Sequence, residues 1–171
     1  EVASTATRGM PLRLRSKPTT RSVDSADLSL LPRLPATATE LMSIAKIIGA
    51  DPEKDVFLGL RANEKTVKDM KLDDVRVLAF ATHGLVSGDL NGLDQPALAL
   101  SAPDVAGVDG DGLLTMGEIL TLKLNAEWVV LSACNTASAD GQGAEAISGL
   151  GRAFFYAGAR SLLVSNWPVH S

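Results

Sequence analysis

Two residues of this sequence could together break an amide bond. His83 and Cys134 stand 51 positions apart with the histidine first, and Cys134 is the only cysteine of the chain. A cysteine attacks a carbonyl carbon as its thiolate, so it needs a neighbouring base that takes the thiol proton, and a neutral imidazole is such a base. These residue types predict nucleophilic catalysis through a thioester, provided that the fold brings the two side chains together.

The oxygen of the attacked carbonyl needs donors as it becomes negatively charged. Gly84 follows the histidine and lacks a Cβ, so its backbone can approach a substrate closely. We predict that the N–H groups of Gly84 and Cys134 form an oxyanion hole. The alternative is that Cys134 is an inert core residue and that His83 only bonds to a loop, as free cysteines and histidines often do.

The segments before the two residues indicate how they could meet. Val75–Phe80 is almost uninterrupted apolar sequence and runs into His83, whereas Trp128–Leu131 runs into Cys134. Continuous apolar runs of this length are typical of strands in a parallel sheet that is covered on both faces. Because the carboxyl ends of parallel strands meet at one edge of a sheet, both residues are predicted to lie at that edge.

Helical patterns alternate with these strands, which predicts an α/β fold with a mostly parallel sheet flanked by helices. Gly49 and Gly158 would end two of the helices, and Thr115 with Glu118 forms a capping box. The predicted helices are one from Glu40 with Thr37 or Thr39 as N-cap, Glu64–Met70 after Asn63, Thr115–Leu122 and Gly143–Ala157. Further predicted strands are Val56–Leu60, an edge strand at Ala97–Leu100, and Ser161–Ser165.

Composition limits the class of protein. A chain of 171 residues that is 46% hydrophobic has room for one core, and its net charge of −4 with scattered basic residues argues against nucleic acid binding. Residues 1–36 are rich in Ser, Thr, Arg and Pro and are predicted to be an extended arm or linker, with residues 37–171 as the folded core. No signal peptide or membrane-length apolar run is visible, so we expect a cytoplasmic location and no membrane partner.

Four sequence words resemble the CHAT family of caspase-like peptidases, which are often joined to tetratricopeptide repeats. They are VRVLAFATHG from Val75, DGLLTMGEI from Asp111, WVVLSACNT from Trp128 and GLGRAFFYAGARSLLVSNWPV from Gly149. The interval between histidine and cysteine is also that of caspases.

The resemblance implies a caspase-like fold, with His83 as base and Cys134 as nucleophile of a cysteine endopeptidase that acts on protein substrates. It also implies a repeat domain on the same polypeptide and no cofactor. Family members carry sequence beyond both ends of this chain, so we expect a domain that is truncated at both ends, with its C-terminal part missing. The alternative function is a non-catalytic interaction or scaffold module of a repeat-containing signalling protein.

Other residues suggest sites of a different kind. Asp140 near the nucleophile could bind a basic residue of the substrate, as could Asp89 and Asp94. Trp167 could line the substrate pocket. Residues 107–118 approach an EF-hand loop but have Gly107 where a carboxylate belongs, so a turn into the capped helix is favoured. One cysteine and two distant histidines fit no zinc site, and no metal is expected. His170, which follows Pro168 closely, is a weaker candidate for the base than His83.

Overall fold

The computed structural model of the protein describes Leu28, residues 30–132 and residues 142–165, and for residues 142–147 it describes the backbone alone. Its central sheet has three parallel strands, β1 (Val77–Ala81), β5 (Trp128–Ser132) and β6 (Leu162–Val164), in the order β1-β5-β6. The predicted α/β fold with a parallel sheet is therefore confirmed. Val129 and Leu131 on β5 are almost fully buried, as expected for the middle strand.

Two long helices flank this sheet. α1 (Pro35–Ile48) contacts β1, and α6 (Gln142–Ala157) contacts β6. Phe154 of α6 is fully buried, and its ring lies 5.7 Å from that of Phe80 on β1, so aromatic packing joins the helix to the sheet. The short helices are α2 (Pro52–Asp55), α3 (Glu64–Asp69), α4 (Pro103–Ala106) and α5 (Met116–Ile119), with 3₁₀ turns at Gly59–Arg61 and Leu72–Asp74.

A second, antiparallel sheet packs beside the first. It consists of β2 (Gly84–Leu85), β3 (Ala97–Ala99) and β4 (Leu113–Thr115) in that order. Successive residues of a strand point to opposite faces. Accordingly, Leu98 belongs to the main core with β1 and β5, whereas Ala97 and Ala99 belong to a second apolar cluster. β3 is thus shared by both cores.

The second cluster includes a residue from the segment before α1. Its buried members are Leu28, Leu85, Leu90, Leu93, Ala97, Ala99 and Leu113. Leu28 is only 7% exposed, and Leu31 packs against the same cluster. Leu28 and Leu31 of the predicted arm therefore pack on the antiparallel sheet, whereas Leu30 is exposed.

Several local predictions are confirmed. Asn63 caps α3 by accepting a hydrogen bond from the Thr66 N–H, and Thr115 and Glu118 form the expected capping box at α5. Gly49 ends α1 in the left-handed conformation at φ 74°.

Other local predictions are wrong. α1 begins at Pro35 rather than Glu40, because proline suits the first turn of a helix, and neither Thr37 nor Thr39 is its N-cap. Val56–Leu60 forms no strand, and Leu58 and Leu60 are exposed. Ala97–Ala99 is the middle strand of the second sheet and not an edge, since Leu113–Thr115, read as a turn and helix start, pairs with it.

Within the described ranges, no helix has both the length and the apolar character that a membrane span requires.

Candidate active site

His83 leaves the end of β1 next to the strand that leads to the cysteine. In the register of the parallel sheet Ala81 lies opposite Ser132, and the Thr82 N–H donates to the Ser132 carbonyl at 3.2 Å. His83 stands two positions after Ala81, and Cys134 stands two positions after Ser132. Cys134 itself lies outside the described residues, so the structure gives the histidine and the strand that delivers the cysteine.

A main-chain carbonyl fixes the ring of His83. The ring atom Nε2 lies 2.7 Å from the Pro32 carbonyl oxygen. A carbonyl oxygen can only accept, so Nε2 must carry the hydrogen. In the neutral ring Nδ1 then holds a free lone pair, which is the form that a general base needs.

The main chain at His83 and Gly84 is held by β3. The Ala99 N–H donates to the His83 carbonyl at 2.9 Å, and Gly84 lies opposite Leu98. Because hydrogen-bonded and non-hydrogen-bonded pairs alternate along an antiparallel ladder, Gly84 and Leu98 form a non-hydrogen-bonded pair. The N–H of Gly84 is therefore directed away from β3.

A chain of hydroxyl groups that the sequence analysis missed crosses the same edge of the sheet. The Ser165 hydroxyl, just after β6, donates to Ser132 Oγ at 3.2 Å, and the Ser132 hydroxyl donates to the Glu40 carboxylate at 3.0 Å. Ser132 is only 5% exposed, so these bonds satisfy a buried hydroxyl and tie α1 to β5. No spacing in the sequence relates Glu40 to Ser132, because 92 positions separate them.

The remaining predicted site residues are not brought to His83 by the described structure. Asp140, Trp167 and the alternative base His170 lie outside the described residues. Asp89 accepts a hydrogen bond from the Val86 N–H at 2.7 Å, which makes it part of a turn, and Asp94 is exposed.

The acidic residues of the EF-hand-like stretch have partners within the protein. Glu118 completes the capping box and accepts from Lys68 Nζ at 2.6 Å, while Lys68 also pairs with the buried Glu64. Burial alone would raise the pKa of Glu118, but the Lys68 ammonium and the Thr115 donors outweigh it and hold that pKa below its ordinary value. In the described part of the chain, no group of three or more His, Cys, Asp or Glu side chains is placed to hold a metal ion.

Asp111 behaves differently from Glu118. Its half-buried carboxylate accepts from the Leu113 N–H at 2.9 Å, yet burial dominates and raises the pKa of Asp111. For Lys68, burial opposes the charge, but the hydrogen bonds that its ammonium donates to Glu118 and Glu64 outweigh burial and raise the pKa of Lys68. Lys68 is therefore the cation that balances the carboxylates of this loop.

His83 is accessible from an open groove. The groove has a volume of about 1480 Å³ and runs between α1 and β1, with Pro32, Thr82 and His83 on its wall.

A family model described as CHAT domain matches residues 3–171. No curated protein and no solved structure gave a significant match to the chain.

Proposed function

The chain belongs to the CHAT family, and from that premise we propose that it is a cysteine endopeptidase whose catalytic dyad is His83 and Cys134. The family is related to the caspase-like cysteine peptidases. The substrate in this proposal is a protein or peptide that reaches His83 through the open groove.

The register of β1 against β5 is the observation that carries the proposal. Ala81 pairs with Ser132, so the chain positions of His83 and Cys134 are matched, each two residues beyond the same rung. Neighbouring strands lie about 4.8 Å apart. In this proposal the thiol of Cys134, two residues beyond that rung, lies within reach of the imidazole.

The tautomer of His83 supports the role of base. With the Nε2 hydrogen donated to the Pro32 carbonyl, Nδ1 is the atom left to accept the thiol proton. The Pro32 carbonyl also stabilises the imidazolium that this transfer creates, because a hydrogen bond from a charged donor is stronger than one from a neutral donor.

The reaction then follows the chemistry of acyl transfer. Nδ1 takes the proton from Cys134 Sγ, and the thiolate attacks the carbonyl carbon of the scissile peptide bond. The imidazolium returns the proton to the leaving amine as the C–N bond breaks, which leaves a thioester. Water, deprotonated by the same imidazole, attacks the thioester, and the carboxylic acid product and the free thiol are released. In this proposal the N–H groups of Gly84 and Cys134 bind the oxyanion, and the outward direction of the Gly84 N–H supports that role.

Labelling of the thiol by an electrophilic peptide probe tests the dyad. We expect rapid modification of Cys134 at neutral pH in the wild type and a rate at least about tenfold lower in His83→Ala, since base assistance contributes about 10²–10⁴-fold. Intact mass spectrometry follows the single modification, and Cys134→Ala is the blank.

His83→Gln is the matched control for ring volume and polarity, and it should be as slow as His83→Ala. Labelling that is equally slow in wild type and both variants would show that the dyad is not an active unit. In that case the protein is better described as an interaction module.

A further inference from the structure

We propose that Leu28 is a positioning residue for His83, acting through the short segment that presents the Pro32 carbonyl. This inference rests on the proposed dyad for its catalytic meaning, whereas the structural link between Leu28 and the imidazole stands on contacts alone. The two are tested separately below.

Leu28 occupies a closely fitted site. It packs in the second apolar cluster with Ala99 and Leu113. A Cβ placed on Gly112 would lie 2.6 Å from Leu28 Cδ1, so a larger residue at position 112 would force this leucine to shift. The contacts of a buried side chain with its neighbours hold it in place.

The wall of this site is itself held firmly. The Gly112 N–H donates to Glu64 Oε2 at 3.3 Å and its carbonyl accepts from the Leu100 N–H at 2.7 Å. Glu64 is buried and also accepts from the Asp111 N–H at 2.9 Å, while Lys68 neutralises its charge. The contact surface that receives Leu28 is therefore fixed from the side opposite the segment.

A short turn carries this anchor to the imidazole. The Leu31 N–H donates to the Leu28 carbonyl at 3.2 Å, and Pro32 follows directly. That bond ties Leu31 to Leu28, and the proline ring restricts the φ of Pro32 itself. That carbonyl then accepts the hydrogen of His83 Nε2 at 2.7 Å.

Strand β3 contacts both ends of this path, Leu28 and His83. Ala99 of β3 packs in the cluster with Leu28, and its N–H donates to the His83 carbonyl. The backbone of the histidine and the acceptor of its ring hydrogen are thus positioned against one element. Leu28 anchors the segment that ends in Pro32, because among its described residues Leu28 is buried while Leu31 is partly buried against the same cluster.

The tautomer of His83 is the direct readout, because it reports the Nε2 hydrogen bond and does not depend on catalysis. Long-range ¹⁵N–¹H correlation spectra of the imidazole groups should show the Nε2–H form in the wild type, with His83→Gln identifying the signals. In Leu28→Ala we expect a mixture with the Nδ1–H form, since the carbonyl is no longer held. A side chain that only adds stability would leave the tautomer of the folded protein unchanged.

Leu93→Ala is the matched control. Leu93 lies in the same cluster, is 6% exposed against 7% for Leu28, and is not part of the segment that carries Pro32. Both variants should lower the urea midpoint, but only Leu28→Ala should change the tautomer and reduce Cys134 labelling by about tenfold or more, as displacement of a catalytic group does. Leu28→Met replaces the leucine by a side chain of similar volume, so this variant should keep the wild-type tautomer and the wild-type labelling rate.

The results separate the two proposals. A wild-type tautomer in Leu28→Ala, or an equal change in Leu93→Ala, would overturn the positioning role. If Leu28→Ala does not fold, Leu28→Val gives the same comparison with a smaller effect. If His83→Ala leaves labelling unchanged, the dyad fails while the tautomer result still decides whether Leu28 positions the ring.

Discussion

At the scale of single residues, glycines permit close contacts on which the fold depends, because they have no Cβ. Gly158 ends α6 at φ 116°, and a Cβ there would lie 2.2 Å from the Leu124 carbonyl oxygen. This oxygen belongs to the main chain, so it cannot move away by a side-chain rotation. Gly49 ends α1 at φ 74° but has nothing within 4 Å of a Cβ.

These two helix ends allow conformational strain to be separated from steric overlap. Gly49→Ala should cost about 1–2 kcal/mol, the penalty for a side chain in the left-handed region. Gly158→Ala should cost about 3 kcal/mol or more, since the overlap with Leu124 adds to that penalty. Urea unfolding followed by circular dichroism measures both. Equal losses would mean that the chain at residue 124 moves away freely.

At the scale of elements, Lys68 joins two helices that are distant in sequence. It lies in α3 and binds Glu118 of α5 as well as Glu64 of its own helix. The Glu64 side chain is only 8% exposed. Water therefore solvates this carboxylate poorly, and Lys68 stabilises it more than it would stabilise an exposed carboxylate. Lys65 pairs with Asp69 on the exposed side of the same helix.

We predict that Lys68→Met lowers the free energy of unfolding by about 1–2 kcal/mol at pH 7, because the buried Glu64 loses its counter-ion and keeps only backbone N–H donors. Lys65→Met is the control and should leave the urea midpoint unchanged, since exposed pairs contribute little. A loss of the same size in both variants would show that only helix propensity or net charge is involved.

The effect of Lys68→Met should depend on pH with a defined sign. The pKa of Glu118 is lowered in the fold, so its contribution is present above about 4.3, the ordinary carboxyl value, and is lost as pH falls through the folded pKa. The pKa of Lys68 is raised, so its contribution is full below about 10.4 and is lost only as pH rises further.

The difference between wild type and Lys68→Met should therefore be constant from about pH 6 to 9 and shrink as the pH falls below about 4.3. Urea midpoints at four pH values, with at least one below about 4.3, measure it. A difference that grows on acidification would contradict the assigned pairing.

At the scale of the whole molecule, β3 joins the two cores into one unit. Leu98 is fully buried in the main core, whereas its neighbours Ala97 and Ala99 face the second cluster. Truncation of a side chain on either face of β3 should therefore destabilise both sheets. The positions of Leu28 and His83 depend on the same strand.

We expect Leu98→Ala to cost about 2–5 kcal/mol, as other truncations of buried leucines do. Hydrogen exchange measured by mass spectrometry should show reduced protection in β5 and equally in β2 and β4, because the cores open together. Reduced protection of β1 and β5 alone, with β2 and β4 unchanged, would show that the cores are independent.

The sequence predicted the elements that depend on local signals. Strands β1 and β5 followed from continuous apolar runs, and the caps at Asn63, Thr115 and Gly49 followed from residue type. The strand expected at Val56–Leu60 failed because an apolar run does not show whether a partner strand exists. The central place of Ala97–Ala99 depended on its pairing with Leu113–Thr115, which is tertiary information.

For the candidate site, the sequence predicted that His83 follows the end of a strand, and the structure places it two residues after β1. The Pro32 contact could not be predicted, because it uses a main-chain oxygen that every residue type carries. Glu40 was equally hidden, since its bond to Ser132 spans 92 positions without a motif.

The use of a main-chain oxygen at Pro32 has a consequence for how such a site can be recognised. The property that matters there is the count of residues between Leu28 and the start of α1 at Pro35, since that count decides which carbonyl arrives at the imidazole. The identity of the side chain at position 32 is secondary. Column-by-column comparison of sequences would pass over this requirement, whereas the tolerance of the loop to insertion or deletion would reveal it.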